Sequence, residues 1–130
     1  MFSAVAEPMG VDYQTAVKVS SGFGGGMYLG SVCGAVTGGI MALGVKYGGV
    51  GREPQVKAAL LGRVFADRFI AMHKTINCPE LIGVDLSKID LTNPESYKDL
   101  NQKKIFASCL GYVKDAAAIV NEMVNTPPKA

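Results

Sequence analysis

Tryptophan is absent from this 130-residue chain, histidine occurs once and cysteine three times. A single histidine, His73, among unpatterned serines gives no Ser-His-Asp arrangement to argue from. Cys33, Cys78 and Cys109 are odd in number and far apart, unlike the dense, even-numbered disulfide framework of small secreted proteins. Thiols kept reduced for redox or metal chemistry, in a cytoplasmic setting, fit that spacing better. The 13 basic and 11 acidic side chains leave a net charge of +2 with no basic block and no interleaved aromatics, so nucleic acid is a poor partner. No basic region precedes the first apolar residues, so a secretory signal peptide is not expected there.

Charge is missing altogether from residues 22–44, GFGGGMYLGSVCGAVTGGIMALG. About 20 apolar residues suffice to cross a bilayer. In the uncharged run 20–45 the first third is largely glycine and serine, however, and a buried central helix explains the rest, so no membrane span is expected. Phosphate-binding loops fail on the residues themselves. Met27 stands where a dinucleotide fingerprint needs its third glycine, and Val45 where a P-loop needs lysine. The reading is a glycine loop, Gly24, Gly25 and Gly26, leading to a helix over 31–46 with Ser31 as its N-cap. Each glycine inside that helix costs about 1 kcal/mol relative to alanine, so something must lie against it. Gly34 and Gly38 are four apart and share a face. Close packing by the chain and a cradle for a cofactor at Gly24, Gly25, Gly26, Gly34 and Gly38 both remain open.

The remainder predicts an all-α, single-domain helical bundle over 1–125 with a tail at 126–130. Residues 2–6 read as the end of a helix that stops before Pro8. Asp12 is the expected cap of a helix over 13–20. Pro54 opens a long amphipathic helix whose apolar face is expected to be Val56, Leu60, Val64, Phe65, Phe69, Met72 and Ile76, with an Arg63–Asp67 pair on the polar side. His73 falls on that polar side and is expected to be exposed. Pro79 and Gly83 bracket a short turn that begins near Cys78, residues 84–93 are irregular, and Asn93 starts a second turn. The last helix is expected over 103–124, with Cys109 facing inward. Cys33 and Cys78 therefore stand at predicted helix starts, where free N–H groups and the helix dipole favour a thiolate.

The run FGGGMYLGSVCGAVTGGIMALGVKYG, with Cys33-Gly34-Ala35-Val36-Thr37-Gly38 at its centre, is followed by Cys78 in NCPELIGVDL and Cys109 in FASCLGYVKDAAAIV. This arrangement resembles the C-GCAxxG-C-C family, which is named for its residues and described as redox-active. The resemblance implies a small, all-helical, cytoplasmic protein with clustered cysteines, but no defined reaction. It also implies a fourth cysteine upstream, so the reading frame is expected to continue before Met1. On this reading Cys33, Cys78 and Cys109 converge on one catalytic and metal-binding site. It would hold an iron–sulphur cluster or other thiophilic metal, or exchange thiols for a disulfide, and serve an unidentified redox partner protein. The alternative is a non-catalytic helical module that forms a homodimer through its glycine face and keeps its thiols as packing.

Overall fold

The computed structural model describes residues 1–126, and the expected tail beyond Thr126 lies outside them. The described chain is all-α. It opens with a short helix α1 (Phe2–Val5) that tightens into a single 3-10 turn, Glu7–Met9, and is closed by Gly10 in the left-handed conformation. Helix α2 (Tyr13–Ser20) starts where Asp12 accepts the backbone N–H of Thr15 at 2.9 Å and its hydroxyl at 2.6 Å. The central helix α3 (Gly34–Tyr47) follows the glycine loop, and the long α4 (Arg52–His73) returns against it. Then come α5 (Cys78–Ile82), a 3-10 turn at Leu86–Lys88, α6 (Pro94–Gln102) and α7 (Cys109–Asn125). Among the described residues no helix is long and apolar enough to cross a membrane.

Helix α3 lies between α1, α4 and α7, and its glycines explain how so many elements reach it. A Cβ at Gly39 would fall into the ring of Phe65, and one at Gly38 would lie 2.8 Å from the backbone nitrogen of Phe2. The side chains that fill the centre are Val36, Leu43, Leu61, Phe65, Phe69, Val120 and Met123, all fully buried. Phe23 and Phe2 of the same chain lie against Gly34 and Gly38, on the face to which the alternative reading gave a homodimer contact. Tyr47 secures the far end of the bundle, its hydroxyl donating to the carbonyl of Met123 at 3.0 Å.

The expected apolar face of α4 is corrected by this geometry. Leu60 and Met72 are 50% and 53% exposed, and Val56 is exposed too. Burial follows Leu61, Phe65 and Phe69 at four-residue spacing, a single ridge that fits the narrow groove left by the glycines of α3. Arg63 and Asp67 do pair, at 3.1 Å on the solvent side. The last helix is corrected as well. Residues 94–102 form a helix of their own, capped by the Asn93 side chain on the N–H of Glu95 at 3.0 Å. Lys104 then adopts φ 54° and the N–H of Ile105 reaches back to the carbonyl of Leu100, a closing motif more often made with glycine.

Candidate functional site

Ser31 does not cap α3. Its carbonyl instead accepts the N–H of Cys78 at 2.8 Å, while the N–H of Cys33 donates to the carbonyl of Ile76 at 2.7 Å. These two bonds frame an isolated antiparallel bridge between Val32 and Asn77. With Val32 opposite Asn77, Cys33 and Cys78 become diagonal neighbours on the other face of the bridge. The bridge therefore joins, at one point, two thiols that the whole of α3 and α4 separates along the chain. Cys33 takes the N-cap position of α3, and Cys78 is the first residue of α5. Cys109 is the first residue of α7 rather than a mid-helix side chain, so all three thiols stand where a helix begins.

They line one cavity of about 350 Å³. Gly24, Gly25, Gly34 and Gly38 form part of its wall, whereas Gly26 does not. A Cβ at Gly26 would lie 2.5 Å from the nitrogen of Ser31, and this glycine serves the backbone turn itself. That turn was not legible in the sequence. Residues 25–28 are all left-handed, with Met27 at φ 62° and Tyr28 at φ 52° among them, a run that L-residues adopt only against a local penalty. It tilts the Tyr28 ring over Gly24, with the hydroxyl 3.5 Å from where a Cβ would be, and sets Gly25 against Leu86. Phe23, Tyr28, Tyr97 and Phe106 supply aromatic surface to the cavity. Only the glycines flanking MYLG hinted at so tight a turn.

The expected ease of ionisation at a helix start fails for Cys78. The residue is 6% exposed, and burial, reinforced by the neighbouring Cys33, Cys109 and Asp85, pushes its thiol up to about 11. Burial, with Cys33 nearby, also raises Cys109, against the pull of a backbone hydrogen bond. Asp85 moves the other way, because the hydroxyl and N–H of Ser87 hold its carboxylate, at 2.6 Å and 3.0 Å. All three cysteines are free thiols. Among the described residues, no three His, Cys, Asp or Glu side chains are gathered closely enough to hold a metal ion, so the cysteines share a cavity without forming a ready ligand set.

His73 is neither exposed nor part of the cavity. Its ring packs at 4.6 Å from Phe69 and edge-on to Tyr112 at 4.9 Å, and Nε2 approaches Asp115 Oδ2 to 2.9 Å without the alignment of a hydrogen bond. Tyr112 carries this cluster to the site, because its hydroxyl donates to the carbonyl of Leu81 at 2.7 Å and so fastens α5, which bears Cys78, to α7, which bears Cys109.

Neither the curated proteins nor the solved structures contain a match to this chain. The glycine helix beneath a cavity edged by three helix-start thiols does have a counterpart at the level of families. The model described as "Putative redox-active protein (C_GCAxxG_C_C)" matches residues 1–123, and the chain belongs to that family.

Proposed function

We propose that the protein cycles between dithiol and disulfide in a reducing, cytoplasmic setting, with Cys33 and Cys78 as the pair and Cys109 as a third thiol at the same cavity. The observation that carries this reading is the Val32–Asn77 bridge, which fixes Cys33 and Cys78 as diagonal neighbours beside a cavity that a reactant can enter. Diagonal positions across an antiparallel pair are about 7–8 Å apart, just beyond the span a disulfide tolerates, so bond formation requires the backbone of the bridge to move inward. Cys33, half-buried at the wall, is the sulfur an incoming oxidant meets, and the buried, protonated Cys78 suits the resolving position. On oxidation the two S–H bonds give way to one S–S bond, and two electrons and two protons pass to the acceptor.

A thiophilic metal or iron–sulphur centre used for electron transfer is the second reading, favoured by the three thiol donors on one cavity. Among the described residues the side chains as placed do not close on an ion. Anaerobic purification separates the two. Protein free of iron and zinc that yields a Cys33–Cys78 cross-linked peptide on stoichiometric oxidation supports the dithiol. Three cysteines protected from alkylation by a bound metal, with no such peptide, overturns it.

A further inference from the structure

We infer that the oxidant this cavity admits is a neutral quinone, an inference that rests on the dithiol reading above and adds the class of its substrate. No charged side chain contributes to the cavity wall. An anionic reactant such as a nucleotide or a carboxylate-bearing disulfide would lose hydration there, and the one charged group beside the wall, the α-ammonium of Met1 near Cys33, is itself disfavoured in its charged form by burial. The walls are instead mainly apolar, with Phe23 and Phe106 among the aromatics and Leu86, Leu91 and Val113 among the aliphatics. A volume of about 350 Å³ lies at the lower end of the range typical of small-molecule sites, enough for a one- or two-ring nucleus. Polar side chains in the lining are few. The hydroxyls of Tyr28 and Tyr97, both part-exposed, have no hydrogen-bond partner among the described residues and are available to donate to carbonyl oxygens.

A quinone satisfies each of these features: it is uncharged, planar and apolar, and ends in two carbonyl acceptors. It also takes up what a dithiol releases. As the S–H bonds of Cys33 and Cys78 break and the S–S bond forms, two electrons and two protons convert the two carbonyls to hydroxyls, giving one hydroquinone per disulfide. No other reactant is required.

The test mixes the reduced, full-length protein anaerobically with duroquinone, whose substituted ring accepts electrons but offers no position for thiol addition. Hydrogen peroxide and the dianionic anthraquinone-2,6-disulfonate are the comparators. One hydroquinone should form per Cys33–Cys78 disulfide, at a rate at least about tenfold above that with the disulfonate. Leu91→Trp, which fills the cavity, should slow duroquinone about tenfold more than it slows peroxide. Tyr97→Phe, which removes only a hydroxyl, should raise the KM for duroquinone by about threefold to tenfold and serves as the decisive variant if Leu91→Trp does not fold. Equal rates with the neutral and anionic quinones, or folded variants that slow duroquinone and peroxide alike, would overturn the quinone assignment. Peroxide still forming the Cys33–Cys78 disulfide would then leave the dithiol reading intact. Absence of that disulfide with every oxidant would remove both.

Discussion

Gly39 and Gly34 belong to the same helix, and the space beside each is used in opposite ways. At Gly39 the ring of Phe65 takes the place of a side chain, and nothing is left over. At Gly34 the nearest foreign atom is the Phe23 carbonyl, 3.2 Å from a notional Cβ, and beside it opens the cavity with its three thiols. One half of α3 is a packing surface and the other a wall. Glycine in a helix marks close approach in both cases; what approaches is decided by elements distant in sequence, here α4 for one half and the 23–33 loop for the other.

The comparison can be broken first at its closed end. Gly39→Leu should lower unfolding free energy by about 3 kcal/mol or more in denaturant titrations, because the backbone of α3 and the ring of Phe65 have no shared room to yield. Gly34→Ala should cost less than about 1 kcal/mol, since the tight approach to Phe23 is offset by the better helix propensity of alanine. Equal losses at the two positions would show that the two halves do not differ.

The open end carries a pH dependence of the next size. Because Cys78 binds its proton more tightly folded, up to about 11, than at its ordinary value of 9.0, the folded state holds the proton through the interval in which the unfolded chain releases it. Its stabilising contribution is complete below about pH 9 and declines as pH rises towards 11, by at most about 2–3 kcal/mol. Chemical unfolding followed from pH 8 to 11 should show that decline in wild type and a smaller one in Cys78→Ala, where the raised Cys109 thiol remains. An undiminished slope in the variant would place the effect elsewhere.

A smaller gain is expected at the loop. Met27→Asn should raise stability by about 0.5–1 kcal/mol, as asparagine accepts the left-handed conformation more readily than methionine. Smallest of all is Gly111→Leu. Nothing lies within 4 Å of a Cβ at this position, so a change within about 0.5 kcal/mol is expected from thermal unfolding.

The parts of this molecule that could be read from sequence are those with local causes. Asp12 announces α2 through its own carboxylate, Gly83 closes α5 in the left-handed conformation, and the glycines of α3 demanded close neighbours. What escaped reading has its cause elsewhere in the chain. Lys74 and Lys104 end helices in a conformation usually signalled by glycine, so the boundary before α7, and with it the true position of Cys109, was hidden. Ser31 has the chemistry of a cap but is drawn into a bridge with residues beyond α4. His73 lies on the polar side of its helix by periodicity, yet α7 brings Tyr112 and Asp115 over it. At the site, the three cysteines were visible as a set. The aromatic walls and the burial that raises Cys78 arise only when α3, α5 and α7 meet.

If Cys33 and Cys78 join as proposed, the Val32–Asn77 bridge, only two hydrogen bonds wide, would also tie the redox state of the chain to its folding. A covalent link between Cys33 and Cys78 encloses all of α3 and α4 in one loop, and closing a loop of that length removes enough disorder from the unfolded chain to be worth about 4 kcal/mol. By the thermodynamic cycle, whatever oxidation adds to the stability of the fold, the fold returns as a preference for the oxidised form. A denatured chain has no such preference, and its Cys109 competes for either partner. On the proposed dithiol reading, the packing of α4 on the glycines of α3 would thus act at a distance as a selector of which sulfur meets which.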